Sequence, residues 1–241
     1  MPFSYPAHAN PKCRHIAPVG LSSKYNFAHN KVIAITEAAS GIGLATVKLL
    51  ASRGAIISLA DINEAATKPA TEPLAGSDKH KHTVVNVKST VERLGKPDGA
   101  VNIARVITPA KQLPKKTDNN WDFNFAVNTR GVFFCLGAQL KTMTAGGTIV
   151  SAASTFGQMG SPGIAPYCAS KAAVIGLTRT ATKENQHIRV SCVSPAGENP
   201  EDVKYGLQAT VQKQRAEPTG IWTVIVCLLS DEASLVTGTA L

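Results

Sequence analysis

The sequence predicts a single α/β domain, a doubly wound parallel sheet with helices on both faces, and three observations carry that prediction. Apolar runs of strand length alternate with helix-period segments along most of the chain. A glycine-bearing loop, "TEAASGIG" from Thr36 to Gly43, follows the first such run and opens a helical pattern. A chain of 241 residues, 44% hydrophobic and 17% charged, is long enough for one sizeable core and short for two.

Taken in order, "KVIAIT" reads as a strand, "GLATVKLLASRG" as a helix, "AIISLAD" as the second strand and, after a polar segment, "HTVVNV" as the third. "GAVNIA", "GGTIVSAAS" and "IRVSCVS" follow as strands, separated by the helix-length stretches "WDFNFAVNTRGVFFCLGAQLKTM" and "YCASKAAVIGLTRTATKEN". Such near-continuous apolar runs suit strands covered on both faces. Only "KSTVERLGKP" joins the third and fourth strands, less than the dozen or so residues of an ordinary parallel crossover. The helix expected there has little more than one turn, and that face of the sheet is expected to be under-covered. A later helix is expected from "ENPEDVKYGLQATVQKQRAE", where Asn199 caps, Pro200 suits the first position and Glu201 and Asp202 suit the first turn. Val203, Leu207 and Val211 give it an apolar stripe.

Residues 1–30 contain no acid and several prolines and histidines, and read as a flexible N-terminal extension ahead of a domain spanning 31–241. No apolar run approaches the roughly 18 residues of a membrane span. Five widely spaced cysteines without a CxxC pair fit a reduced, cytoplasmic setting better than a disulfide framework or a metal site. The net charge of +9 has much of its excess in the extension and between Lys79 and Lys116, without interleaved aromatics. That pattern argues against nucleic acid and for a solvated basic face that attracts a small anion.

Three motifs carry chemistry. Gly41 and Gly43 lack Cβ atoms, so the backbone and the following helix N-terminus can approach a pyrophosphate; a tight turn alone is the plainer alternative. Asp61 ends the second strand about 20 residues beyond Gly41, where an acid takes a ribose 2′-hydroxyl and repels a 2′-phosphate. This favours NAD over NADP, the alternative being an aspartate that only caps a turn. In "YCASK", Tyr167 and Lys171 share a helix face at i, i+4 spacing. An ammonium beside a phenol favours the phenolate and makes Tyr167 usable as an acid or base near neutrality.

"TEAASGIG", "LAD", "NIA", "VNTRG", "SAAS", "YCASK" and "IRVSCVSP", in this order, resemble the short-chain dehydrogenase/reductases from about Lys31 to about Gly238. The resemblance implies a Rossmann-type NAD(P)-binding catalytic domain and a tetrad. Ser154 would bond the substrate oxygen, Tyr167 pass the proton, Lys171 hold the nicotinamide ribose and tune Tyr167, and Asn128 position a relay water. "SAAS" also offers Ser151, but the spacing to Tyr167 favours Ser154. Cofactor contacts are implied for Thr36, Ser40, Gly41, Ile42 and Gly43 in the loop and for Asp61. Asn86 would face the adenine, Asn102 and Ala104 would stand at the end of the fourth strand, and Tyr167, Lys171 and Pro195 would complete the site. The implied activity interconverts a small secondary alcohol and a ketone by hydride transfer, in a homodimer or homotetramer. Tyr205 and Gln208 fall where the family carries a substrate lid. "GKPDGAVNIA" is similar to tailoring reductases of fungal natural-product pathways, which suggests a secondary-metabolite substrate.

Several positions depart from the family pattern. Glu37 stands at the first loop glycine, Arg105 at the glycine of "NNAG", Asn86 at an aspartate and Pro200 at a threonine; Ala196 separates Pro195 from Gly197. The family also runs beyond "VTGTAL" through a last strand into a glycine pair. These departures keep two alternatives open: a cofactor-impaired binding protein, or a non-redox isomerase or cyclase on the same scaffold. Glu37 and Arg105 follow strands that are neighbours in this family, and are expected to pair. An unpaired carboxylate ~5 Å from a pyrophosphate would cost on the order of 3 kcal/mol at an effective dielectric near 20.

Overall fold

The computed structural model describes residues 27–74, 76–83, 87–195 and 218–241. Most of the expected extension lies outside the described residues, as do Asn86 and the helix expected from Asn199, with Pro200, Tyr205 and Gln208.

Six strands pair in parallel: β1 (Val32–Thr36), β2 (Ile56–Ala60), β3 (Lys81–Thr83), β4 (Gly99–Asn102), β5 (Thr148–Ala152) and β6 (Arg189–Val193). Their order across the sheet is β3-β2-β1-β4-β5-β6. The order reverses between β1 and β4, the switch point at which doubly wound sheets open a crevice. Around the strands lie α1 (Gly41–Ser52), α2 (Glu64–Thr71), α3 (Val87–Leu94), α4 (Asp118–Phe125), α5 (Val132–Thr142), α6 (Thr155–Met159), α7 (Ala165–Glu184) and α8 (Pro218–Leu229).

Successive strand residues point to opposite faces, and the core divides accordingly. Val101 and Val150 join Ile33, Ile35, Leu50, Leu59 and Leu229 on the side of α1 and α8. Their neighbours Ala100 and Ile149 join Leu136, Val174 and Val190 on the side of α5 and α7.

The short crossover differs from expectation. α3 has 8 residues, about two turns, because β3 ends at Thr83 and Val87, expected to be strand, opens the helix. α3 packs against β1, β3 and α5. A 2.8 Å hydrogen bond between the Thr90 and Ser58 hydroxyls fastens it to β2, so this face is covered rather than bare. The expected long helix after Thr117 is present with one interruption, a π-helical stretch over Ala126–Gly131 that joins α4 to α5. Beside β6, Cys192 N–H donates to Thr239 O at 2.9 Å and Leu241 N–H to Cys192 O at 3.0 Å. The segment around Ala240 thus lies parallel to β6 and covers its outer edge.

Candidate active site

Strand register levels the carboxyl ends of the sheet. Thr36 stands beside Ala60, Asn102 beside Ser151 and Ala152 beside Val193, so the residues that follow each strand gather at one edge.

The loop after β1 turns sharply. Glu37 adopts φ +53°, a left-handed conformation that side chains disfavour. A Cβ on Gly43 would stand 1.9 Å from the Glu37 carbonyl oxygen, so only glycine fits where α1 crosses this turn. Ser40 precedes α1 without a side-chain cap and no acid occupies the first turn, leaving that N-terminus suited to an anion. Above Gly41, at φ +50°, a Cβ would meet nothing within 4 Å. The loop therefore fits the pyrophosphate of a dinucleotide. Asp61, buried at the end of β2, accepts from Ala39 N–H at 3.1 Å and from Asn63 N–H at 2.9 Å. It caps a turn and braces the loop at once, with lone pairs to spare for a ribose.

Side chains pin the segment after β4 one residue at a time. The Thr36 hydroxyl accepts from Ile103 N–H at 2.9 Å and Ala104 N–H at 3.1 Å. Glu37 Oε2 accepts from Arg105 N–H at 3.2 Å. Asn128 Oδ1 accepts from Val106 N–H, and its Nδ2 donates to Val106 O, both at 2.8 Å. Glu37 and Arg105 do meet in one corner, and this contact runs from the carboxylate to the main chain. Asn102 faces away from that corner: its side-chain amide pairs with Gln139 of α5 and reaches Ser151 Oγ at 3.4 Å.

The proposed reactive groups converge where α6 leans on α7. A Cβ on Gly157 would lie 2.8 Å from the Lys171 carbonyl carbon, so this glycine permits the two helices to touch. Ser154 caps α6, accepting from Phe156 N–H at 3.2 Å and donating to Pro195 O at 3.4 Å. Ser151 lies within β5, beneath the Asn102–Gln139 pair. Tyr167 is packed with Phe156 and Ile164. Lys171 is wholly buried; its Nζ donates to Ala152 O at 2.7 Å and lies 5.9 Å from the centroid of the Tyr167 ring. Burial, and then the Arg105 charge, push the lysine from 10.5 down to about 7, while Glu37 and Cys192 act in the opposite direction. Asn128 reaches this cluster through Ser170, its Nδ2 donating to Ser170 Oγ at 3.0 Å.

Four contributors escape a reading by motif: Gln139, Ser170, Gly157 and the Ala152 carbonyl. Ser170 lies inside "YCASK" and Gln139 is the lone amide in the apolar run "VFFCLGAQL", signals that could have marked both. Among the described residues no cluster of histidine, cysteine and acids could hold a metal ion, and no helix is long and apolar enough to cross a membrane.

Residues 38–241 match the family model described as enoyl-(acyl carrier protein) reductase. The chain belongs to the short-chain dehydrogenase/reductases, a family of oxidoreductases that use NAD(P). It is 34% identical to the short-chain dehydrogenase/reductase ABA4 of Pyricularia oryzae, the match covering 86% of this chain and 88% of that one. Among solved structures it resembles levodione reductase, with a TM-score of 0.81 and 29% identity over 88% of this chain and 95% of the other. It also resembles NAD+-bound xylitol dehydrogenase, with a TM-score of 0.80 and 25% identity over 89% and 97% of the two chains.

Proposed function

We propose that residues 31–241 form one catalytic domain that interconverts a small secondary alcohol and the matching ketone with NAD, Tyr167 passing the proton. The observation that carries this reading is the buried Lys171 beside Tyr167, with Ser154 on the adjoining helix cap. Ser40, Gly41, Ile42 and Gly43 would hold the pyrophosphate and Asp61 the adenosine ribose, with Asn86, Ala104 and Pro195 around the remainder. When bound, the nicotinamide supplies the hydride acceptor or donor.

The chain's own groups manage the proton. Ser154 offers its hydroxyl to the substrate oxygen. Tyr167 takes the alcohol proton during oxidation and returns one to the ketone oxygen during reduction. A charged Lys171 favours the phenolate that begins the oxidation. Asn128 holds Val106 and Ser170 in place around the path by which Tyr167 would exchange its proton with water. Asp61 favours NAD over NADP by repelling a 2′-phosphate. The names of the relatives, levodione reductase and xylitol dehydrogenase, and the likeness to ABA4 support a small hydroxyl- or keto-bearing metabolite as substrate.

We further propose a cytoplasmic homodimer or homotetramer built on α4 and α5, where Trp121, Phe123, Phe133 and Phe134 are exposed. Phe125, Thr129, Phe133 and Leu177 line a hollow on that face. A second reading, a cofactor-impaired binding protein on the same scaffold, draws on one observation: Glu37 brings a carboxylate to the switch point where a dinucleotide would lie. Fluorescence titration with NADH and NADPH separates the two. Micromolar NADH binding supports the enzyme, and a folded chain that binds neither below millimolar concentration supports the alternative.

A further inference from the structure

We propose that Glu37 is a latch that fixes the segment after β4 through Arg105 beside the helix that carries Lys171, so that two residues standing where the family has glycine form one positioning element. The proposal rests on the oxidoreductase reading only for its effect on turnover.

The backbone supplies the first argument. Each main-chain N–H from Ile103 to Val106 is accepted by a side-chain oxygen: Thr36 takes two, Glu37 one and Asn128 one. Glu37 is the charged member of this set. A glycine at position 37 would adopt φ +53° without strain but would remove the acceptor for Arg105 N–H. Glu37 therefore exchanges local backbone comfort for a fixed course of the chain through Arg105.

The second argument is what that course brings together. Val106, the residue after Arg105, is held by Asn128, whose Nδ2 donates to Ser170 Oγ on the helix of Lys171. Among the described residues Tyr167, Cys192, Glu37 and Arg105 are the titratable or charged groups whose influence reaches Lys171. Glu37 favours the ammonium and Arg105 disfavours it. The carboxylate that fixes the Arg105 main chain thus also opposes the Arg105 charge at the same buried lysine. Losing either side chain tilts Lys171, in opposite directions.

Three variants separate the parts. Glu37→Gln keeps an acceptor oxygen and drops the charge; Glu37→Ala drops both; Arg105→Met drops the charge and keeps the N–H. In the cofactor-free protein, exchange of the Arg105 amide is read by NMR, and the titration of Lys171 by its 13C-labelled side chain, assigned with Lys171→Met. Arg105 amide exchange is expected to stay near wild type in Glu37→Gln and to rise about tenfold or more in Glu37→Ala. The Lys171 midpoint is expected to fall in Glu37→Gln and rise in Arg105→Met. In the active enzyme the same shifts should appear in the pH profile of kcat. Unchanged exchange in Glu37→Ala, or a Lys171 midpoint that moves in neither charge variant, overturns the latch. Should Glu37→Ala fail to fold, the two charge variants still decide through the Lys171 midpoint. None of the cofactor-free readings needs dinucleotide binding, so a failure of the latch and a failure of the enzyme reading are told apart.

Discussion

Asn102 at the end of β4 and Gln139 in α5 hold each other's carboxamides in a buried reciprocal pair, Asn102 Nδ2 to Gln139 Oε1 at 2.9 Å and Gln139 Nε2 to Asn102 Oδ1 at 2.7 Å. Truncating either leaves the other buried with unmet hydrogen-bonding groups. Asn102→Ala and Gln139→Ala should each cost about 2 to 3 kcal/mol, and the double variant clearly less than their sum. Urea unfolding of the four proteins measures the cycle; strict additivity would show that the pair does not act as a unit.

Gly43→Ala tests the loop geometry. Its methyl, fixed directly to the main chain, would meet the Glu37 main-chain carbonyl at 1.9 Å, and neither can swing aside. A loss of roughly 2 kcal/mol or more is expected, together with loss of dinucleotide binding. Gly41→Ala, with open space but φ +50°, should cost only about 1 to 2 kcal/mol. Thermal or urea melts of the two variants give the ranking.

Lys171 predicts a pH dependence of stability. Its folded value of about 7 lies below the unfolded value near 10.4, so the unfolded chain binds the extra proton between them. Stability from this group therefore rises as pH increases through 7, and the full penalty of burying the ammonium is present below it. Between pH 7 and 8.5 the wild type should gain on the order of 2 kcal/mol relative to Lys171→Met, read from urea unfolding. A parallel pH dependence in the two proteins would contradict the lowered value.

Asp61 is expected to serve both the loop and cofactor choice. Because it accepts from Ala39 and Asn63, Asp61→Ala should weaken NADH binding about tenfold or more by loosening the loop. NADPH should weaken less, or improve, as a 2′-phosphate no longer meets a carboxylate. Paired dissociation constants for the two dinucleotides provide the check, and an equal loss for both would reduce Asp61 to a brace.

Tyr167→Phe should leave NADH affinity within about twofold while lowering kcat by roughly a hundredfold or more, because the ring stays packed and only the proton-bearing oxygen is lost. Turnover of a model ketone, compared with fluorescence titration, separates the two effects.

The parallel sheet was legible because apolar runs and helical periods alternate cleanly, and the glycine loop because its glycines answer a steric demand that the structure meets at Gly43. Val87 opens α3 although "HTVVNV" has strand composition, because packing of α3 onto Ser58 through Thr90 outweighs local preference. The juxtaposition of Glu37 and Arg105 could be expected from neighbouring strands, whereas the choice of main-chain N–H as the contact depends on φ at Glu37, which no pattern of residue types encodes. Gln139 escapes for a similar reason, since its partner Asn102 lies on the strand beneath α5, 37 residues away in sequence, a separation that periodicity does not reach.

The π-helical stretch over Ala126–Gly131 sets the rotational phase between α4 and α5. A widened turn accommodates one residue more than a regular helix would, and each residue of an α-helix advances the face by about 100°. Rewound as regular α-helix, the same residues would rotate everything downstream by about that angle, carrying Phe133, Phe134 and Gln139 off the directions they now face. The wide turn absorbs the surplus residue and so keeps the clamp of Asn128 and the buried amide of Gln139 in register on a single rod.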